Sequence, residues 1–276
     1  MCLKYFIKDS SDINLSNVRA IIFDLEGVFF AGDAVLPGAL DVMKKIQEKK
    51  LPHRFITNIS KENVSQIYDH MFSIGLKPDK KNIIGLLDYA GIFLRRISNN
   101  LNTVFIIGSE ELRFSISNAG FEDLTHENPG KVDIVLTGLD EELTYFSLSK
   151  ASDLVAKGAK FVAMNSDVRR PSGAGTEFLL GGGAIAEVVR VSSGKDPVVI
   201  GKPSSYLFEE AINQINVSIE NILMVGDNLR TDIIGASNLG MKTVWVNRWG
   251  KIKGDPEVIP DLEIKTIDEL LPLLPL

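Results

Sequence analysis

Cysteine is almost missing from this chain: Cys2 is the only one in 276 residues. One thiol excludes a disulfide framework within the chain and any metal site built on several cysteines. The same scarcity fits a reducing compartment, so a cytoplasmic protein is expected. Histidine is nearly as rare, and His53, His70 and His126 stand far apart. No Gly-x-Ser-x-Gly elbow accompanies them, which argues against a serine triad. Positive charge is not in excess: 30 Lys and Arg face 36 Asp and Glu, for a net charge of −6 and a pI of about 5.2. Nucleic-acid binders carry a basic patch. The densest basic cluster here, Lys77 to Lys81, is short and reads as a solvated turn, so no nucleic-acid partner is expected. Long apolar runs are missing too. Nowhere do 18 apolar residues run together, so no membrane span is expected, and Met1 to Lys8 lacks the apolar core of a secretory signal. Neither Gly-x-Gly-x-x-Gly nor Gly-x₄-Gly-Lys-Ser/Thr occurs. The glycines Gly181, Gly182 and Gly183 are therefore read as a flexible loop rather than a phosphate cradle.

What is present is an ordinary globular composition, 45% hydrophobic and 24% charged, with length for one or two domains. Four apolar runs each end in a polar group. Residues 19–23 lead into Asp24-Leu25-Glu26-Gly27-Val28, and 53–56 into Thr57-Asn58. Residues 197–200 lead into Gly201-Lys202-Pro203, and 221–225 into Gly226-Asp227-Asn228 with Thr231-Asp232 beyond. Apolar runs separated by helical stretches read as buried parallel strands. The acidic pairs, the hydroxyl and the lysine then sit just past the carboxyl ends of strands, where open α/β sheets bind ligands.

The pattern along the chain predicts an α/β fold, a Rossmann-like parallel-sheet core with a smaller α/β domain inserted in it. After the first strand, Val28 to Leu36 suits a small hairpin, and Pro37 suits the first turn of a helix running to about Lys49. Ser60 is the expected N-cap of the next helix and Gly75 its C-terminal cap, with Val64, Ile67, Met71 and Ile74 on one face. A third helix is expected over 83–97. From residue 101 to 196 the alternation restarts, with strands expected near 103–107, 132–136 and 160–164 and helices near 110–118, 141–157 and 184–190. The first pattern resumes at 197 with strands and helices to the end. The core is thus expected to be discontinuous, 1–100 and 197–276, with 101–196 inserted.

If Asp24, Glu26, Asp227 and Asp232 converge, each carboxylate pair about 4 Å apart repels by about 4 kcal/mol at an effective dielectric of 20. Such a group needs a cation, and all-oxygen ligation suits Mg²⁺. A carboxylate can attack a phosphate ester and split its hydrolysis into two easier steps. A neighbouring acid can protonate the leaving alkoxide and then activate water. A hydroxyl and a lysine supply donors for phosphoryl oxygens. Each segment alone has a plainer role, as a cap or turn; their joint, ordered occurrence after four strands is what points to phosphoryl transfer.

Those four motifs resemble the haloacid dehalogenase-like hydrolases, and more narrowly their type IIA branch of p-nitrophenyl, nucleotide and sugar phosphatases. The similarity spans about residues 18 to 270 and extends to Leu36-Pro37-Gly38-Ala39 and to Asn165-Ser166-Asp167 followed by Gly183-Ala184-Ile185. It implies Asp24 as nucleophile and Glu26 as acid/base. It implies phosphate binding by Thr57 and Lys202, and substrate binding by Asn58 beside them. Mg²⁺ would be held by Asp24, the Glu26 backbone carbonyl and Asp227, with Asp232 in support. The insert would be a type II cap that chooses a small phosphorylated metabolite through residues such as Asn165, Asp167 and Arg169, in a monomer or a cap-mediated homodimer. Arg169 and Arg170 could hold a substrate carboxylate or second phosphate; solvated loop arginines are the alternative. Glu26 departs from the Asp usual in this branch. Its extra methylene moves the carboxyl outward by about 1.5 Å and leaves its basicity nearly unchanged. A phosphotransferase would share every motif, and a sensor with the same fold and metal would share most of them. A receiver-type signalling domain also uses Asp, Thr and Lys, but it has neither the insert nor the segment from Gly226 to Asp232.

Overall fold

The computed structural model of the chain describes residues 15–172, 177–248 and 258–274; Cys2 lies outside them. Two compact units emerge. The first takes residues up to Thr57, Tyr68–Ile83 and those from Phe208 on; the second takes Asn58–Ile67 and Ile84–Leu207.

The first unit is built on a parallel sheet. Its strands are β1 (Ala20–Phe23), β4 (His53–Thr57), β13 (Ile222–Gly226), β14 (Lys242–Val246) and β15 (Leu262–Ile264). Their order is β15-β14-β13-β1-β4, all parallel, and β5 (Ile83–Gly85) follows at the edge. Every residue of β1 is fully buried, as a run of Ala, Ile, Ile and Phe in a doubly covered strand must be. Phe23, Phe29 and Phe55 pack edge-to-face and stacked with centroids 5.3 to 5.9 Å apart. A two-residue hairpin, β2 (Phe30–Ala31) with β3 (Ala34–Val35), follows β1 as the sequence pattern suggests. Helix α1 (Ala39–Glu48) buries Ala39, Val42, Met43 and Ile46, the i, i+3, i+4, i+7 face. The chain leaves β1 toward β4 on one side and returns through β13 on the other. The point where strand order reverses therefore lies beside β1, and Asp24 and Asp227 follow its two strands.

The second unit has its own parallel sheet, in the order β12-β9-β8-β6-β7. Its members are β6 (Thr103–Ile107), β7 (Glu122–Asp123), β8 (Ile134–Thr137), β9 (Lys160–Ala163) and β12 (Val198–Val199). Helices α5 (Tyr145–Ala156) and α6 (Gly182–Ser193) cover it through a core that includes Phe105, Val135, Leu154, Phe161 and Val189. Helix α3 (Leu86–Ser98) and helix α4 (Glu110–Asn118) also belong here. A hairpin of β10 (Arg169–Ser172) and β11 (Glu177–Leu180) leads into α6.

Several local expectations change. Helix α2 spans Val64–Ser73 and its cap is Asn63, not Ser60: the Asn63 side chain accepts from Gln66 N–H at 3.0 Å while Gln66 accepts from Asn63 N–H at 2.9 Å. The stretch Ile83–Gly85, read as the start of a helix, is β5. The strand before Lys202, read with the first domain's pattern, pairs as β12 with β9, Val198 opposite Val162. Gly182 and Gly183 are not a flexible loop. They open α6 with the chain folded so closely that a Cβ on Gly183 would lie 2.3 Å from the Ser166 carbonyl carbon.

Candidate active site

In the first unit the sheet register assembles the acidic group. Phe23 pairs with Phe55 on one side and with Val225 on the other. One step further along come Asp24, Ile56 and Gly226, with Thr57 and Asp227 just beyond. Asp24 N–H donates to the Val225 carbonyl at 2.9 Å, which fixes the corner after β1. The loop after β13 is closed by a turn of π-helix, Leu229–Ile233, leading into α8 (Ile234–Asn238). There Asn228 N–H donates to Asp232 Oδ2 at 3.1 Å, and Asp232 N–H returns to the Asn228 carbonyl at 2.9 Å. One carboxylate oxygen from each of Asp24, Asp227 and Asp232 lies within 4.8 Å of the others. Asp24 and Asp232 are buried and Asp227 half-buried.

Three carboxylates this close repel by several kcal/mol in sum at an effective dielectric of about 20. The group holds no His and no Cys, so the donors are hard oxygens throughout. That set fits a Mg²⁺-type cation and does not fit a soft metal. Thr57 ends β4 at 1% exposure, in the same unit. Glu26 is half-buried and bridges to Phe30 at the hairpin, and its carboxylate is not among the clustered oxygens.

The remaining candidates meet one another in the second unit. Asn58, Asn165, Asp167 and Lys202 form one hydrogen-bonded group. The Lys202 N–H donates to Asn58 Oδ1 at 2.8 Å, and Asn58 Nδ2 donates to Asp167 Oδ2 at 2.9 Å. Asn165 Nδ2 donates to the Asn58 carbonyl at 2.9 Å. Lys202 is 2% exposed. Arg169 opens β10 and is exposed, whereas its neighbour Arg170 pairs with Glu141, which Lys61 also approaches at 3.6 Å.

Two residues beside the acidic group escape a motif-based reading. The Trp245 indole N–H donates to the Asp227 backbone carbonyl at 2.8 Å, from a position in β14 paired with Gly226. Burial pulls the Arg248 guanidinium below its ordinary value, and the charge of Asp227 partly offsets that pull. The signal that could have found them is the parallel register: any strand beside β13 presents its last residues to Asp227.

Comparisons with known proteins agree with this geometry. A haloacid dehalogenase-like hydrolase family model matches residues 21–122, and a HAD-hydrolase-like model matches 199–265. The chain is 33% identical over 234 residues to an acid sugar phosphatase of Staphylococcus epidermidis, covering 84% of this chain and 87% of that one. Its fold is similar to the crystal structure of a 4-nitrophenylphosphatase from Thermotoga maritima, with a TM-score of 0.78 and 25% identity over 93% of this chain and 97% of that one. It is also similar to a glycerol phosphate phosphatase from Mycobacterium tuberculosis, solved in complex with magnesium, with a TM-score of 0.75 and 25% identity over 88% and 74% of the two chains. Four motifs in order, a parallel sheet that brings Asp24 beside Asp227, and these matches place the chain among the haloacid dehalogenase-like hydrolases, in their type IIA branch.

Proposed function

We propose that the chain is a Mg²⁺-dependent phosphatase that hydrolyses a small phosphate monoester, such as a sugar phosphate or nucleotide, through an aspartyl-phosphate on Asp24. The observation that carries this reading is the group of Asp24, Asp227 and Asp232 oxygens within 4.8 Å of one another, built at the point where strand order reverses. When bound there, the cation neutralises phosphate charge and aligns the ester for in-line displacement. Asp24 and Asp227 would hold it together with the Glu26 carbonyl, and Asp232 would support the loop that carries Asp227. The Asp24 carboxylate attacks phosphorus, and the ester oxygen leaves with a proton from Glu26. Glu26 then takes a proton from water, which attacks the acyl phosphate and releases phosphate with Asp24 restored. The Thr57 hydroxyl donates to a phosphoryl oxygen, and the Lys202 amine supplies positive charge for phosphate. The segment 101–196 acts as the cap that selects the alcohol part of the substrate, with Arg169 its exposed cationic candidate.

The name of the Staphylococcus relative favours sugar phosphates, and the magnesium in the Mycobacterium structure favours this cation. Phosphate release from p-nitrophenyl phosphate and from a panel of sugar phosphates and nucleotides tests the reading. Turnover should require Mg²⁺, stop in EDTA and return when Mg²⁺ is restored. Full activity in a metal-stripped sample would rule out the cation's part. Binding of Mg²⁺ and phosphate without turnover of any ester would leave a sensor in its place.

A further inference from the structure

We infer that Asn58 is a positioning residue, whose side-chain amide fixes the backbone of Lys202 and the carboxylate of Asp167 instead of binding substrate. The inference rests on the phosphatase reading and deepens it.

The geometry is specific to an amide. Lys202 N–H donates to Asn58 Oδ1 at 2.8 Å, and Asn58 Nδ2 donates back to the Lys202 carbonyl at 3.1 Å. The amide thus grips both backbone polar groups of one residue, as a neighbouring strand would. The same Nδ2 donates to Asp167 Oδ2 at 2.9 Å. An amide nitrogen has two N–H groups, and this carbonyl and this carboxylate occupy both. The side-chain amide has no donor left for a substrate. Asn58 is itself held in place, because its backbone carbonyl accepts from Asn165 Nδ2 at 2.9 Å. Asn165 Oδ1 in turn accepts the Asp167 N–H at 3.3 Å, and Asn165 is buried.

Three loops are therefore locked at one point: those that follow β4, β9 and β12. Other side chains fail there for stated reasons. Asp has the acceptor but no donor, and it would set a second carboxylate against Asp167. Gln is one methylene too long to meet both sides of one residue. Ser reaches only one of them. The consequence falls on Lys202. Its side chain starts from a Cα clamped on both flanks, so the reach of its amine is set by Asn58. Displacing a charged group by about 1 Å can cost about 100-fold in rate.

The test is a double-variant cycle on Mg²⁺-dependent hydrolysis of p-nitrophenyl phosphate, with N58A, K202A and the pair together. N58A should lose about 10- to 100-fold in kcat/KM. In the K202A background the same change should cost less than about threefold, because the residue it serves is gone. Competitive inhibition by inorganic phosphate should follow the same pattern, weakened by N58A in the parent and hardly altered in K202A. N58S reaches only one side of Lys202 and adds no charge, so it should lose activity as N58A does. It supplies the cycle if N58A does not fold. Losses that multiply in the double variant would overturn the assignment and make Asn58 a direct substrate ligand. A wild-type chain with no turnover on any ester would sink the phosphatase reading instead, and this inference with it.

Discussion

Gly27→Ala separates folding from function at the acidic group. Gly27 has φ +89°, and a Cβ built there would sit 2.2 Å from Asp227 Oδ2 and 2.4 Å from its Cγ. Carbon and oxygen that do not share a bond need more than 3 Å, so the Asp227 carboxylate must retreat by about 1 Å. That retreat is cheap for folding, since the displaced atoms end a short side chain. The left-handed backbone costs an alanine about 1–2 kcal/mol, or about 2–8 °C in melting temperature for a chain of this size. For the chemistry the same 1 Å is expensive, about 100-fold in rate. Gly75→Ala is the matched control: its φ is +91° and nothing lies within 4 Å of an added Cβ. Both variants should lose similar thermal stability by calorimetry. Gly27→Ala alone should lose about two orders of magnitude in kcat/KM and need more Mg²⁺ for half-maximal rate. Equal activity in the two variants would refute the placement of Asp227 at the working end of the site.

The other predictions address protons. Glu26→Gln should slow turnover about 10²- to 10⁴-fold if Glu26 is the acid/base. The loss should be largest with sugar phosphates, whose alkoxides need protonation, and smaller with p-nitrophenyl phosphate. An unchanged rate on sugar phosphates would remove Glu26 from the mechanism. His53 bears on stability. Its Nδ1 lies 2.7 Å from the Leu51 carbonyl and its Nε2 2.9 Å from Asn82 Nδ2, so the folded ring is neutral with the proton on Nδ1. Burial holds its pKa below the ordinary 6.5, against the partial offset of the Leu51 carbonyl. The unfolded chain therefore takes up a proton first as pH falls. His53 contributes its full stability above pH 6.5 and loses it as pH drops through the lowered native value, by at most about 1.4 kcal/mol per pH unit. Urea midpoints between pH 7.5 and 5.5 should fall more steeply for wild type than for His53→Gln, and parallel slopes would contradict the neutral ring.

Much of this architecture is legible in the residues because buried parallel strands announce themselves. The runs that became β1, β4, β13 and β14 are apolar, short and bounded by turn formers, and Glu110–Asn118 has helix bounds marked by Ser109 at one end and Gly120 near the other. The fold class and the family resemblance follow from them. Ile83–Gly85 was illegible because it joins Leu86-Leu87 in one apolar stretch, in which neither period shows. The β10–β11 hairpin was hidden by Arg169-Arg170-Pro171, which lacks a strand signature. The π-turn at Leu229–Ile233 reads as ordinary helix, since only its hydrogen bonds to Asn228 distinguish it. Within the site, Asp24, Asp227 and Asp232 could be grouped by motif. The engagement of the Asn58 amide with Lys202 and Asp167 could not, because it joins residues 144 and 109 positions away. Trp245 escaped for the same reason, since its partner is a backbone carbonyl that no sequence pattern marks.

The most direct test of the central claim is the rate of p-nitrophenyl phosphate hydrolysis in saturating Mg²⁺ by wild type and by Asp24→Asn. The variant retains size and shape at the end of β1, so its far-UV circular dichroism should match wild type. With the nucleophile gone, only positioning and electrostatics remain. Wild type should turn over and Asp24→Asn should lose nearly all of that rate. Retention of a tenth or more of wild-type turnover by a folded Asp24→Asn would contradict an aspartyl-phosphate on Asp24.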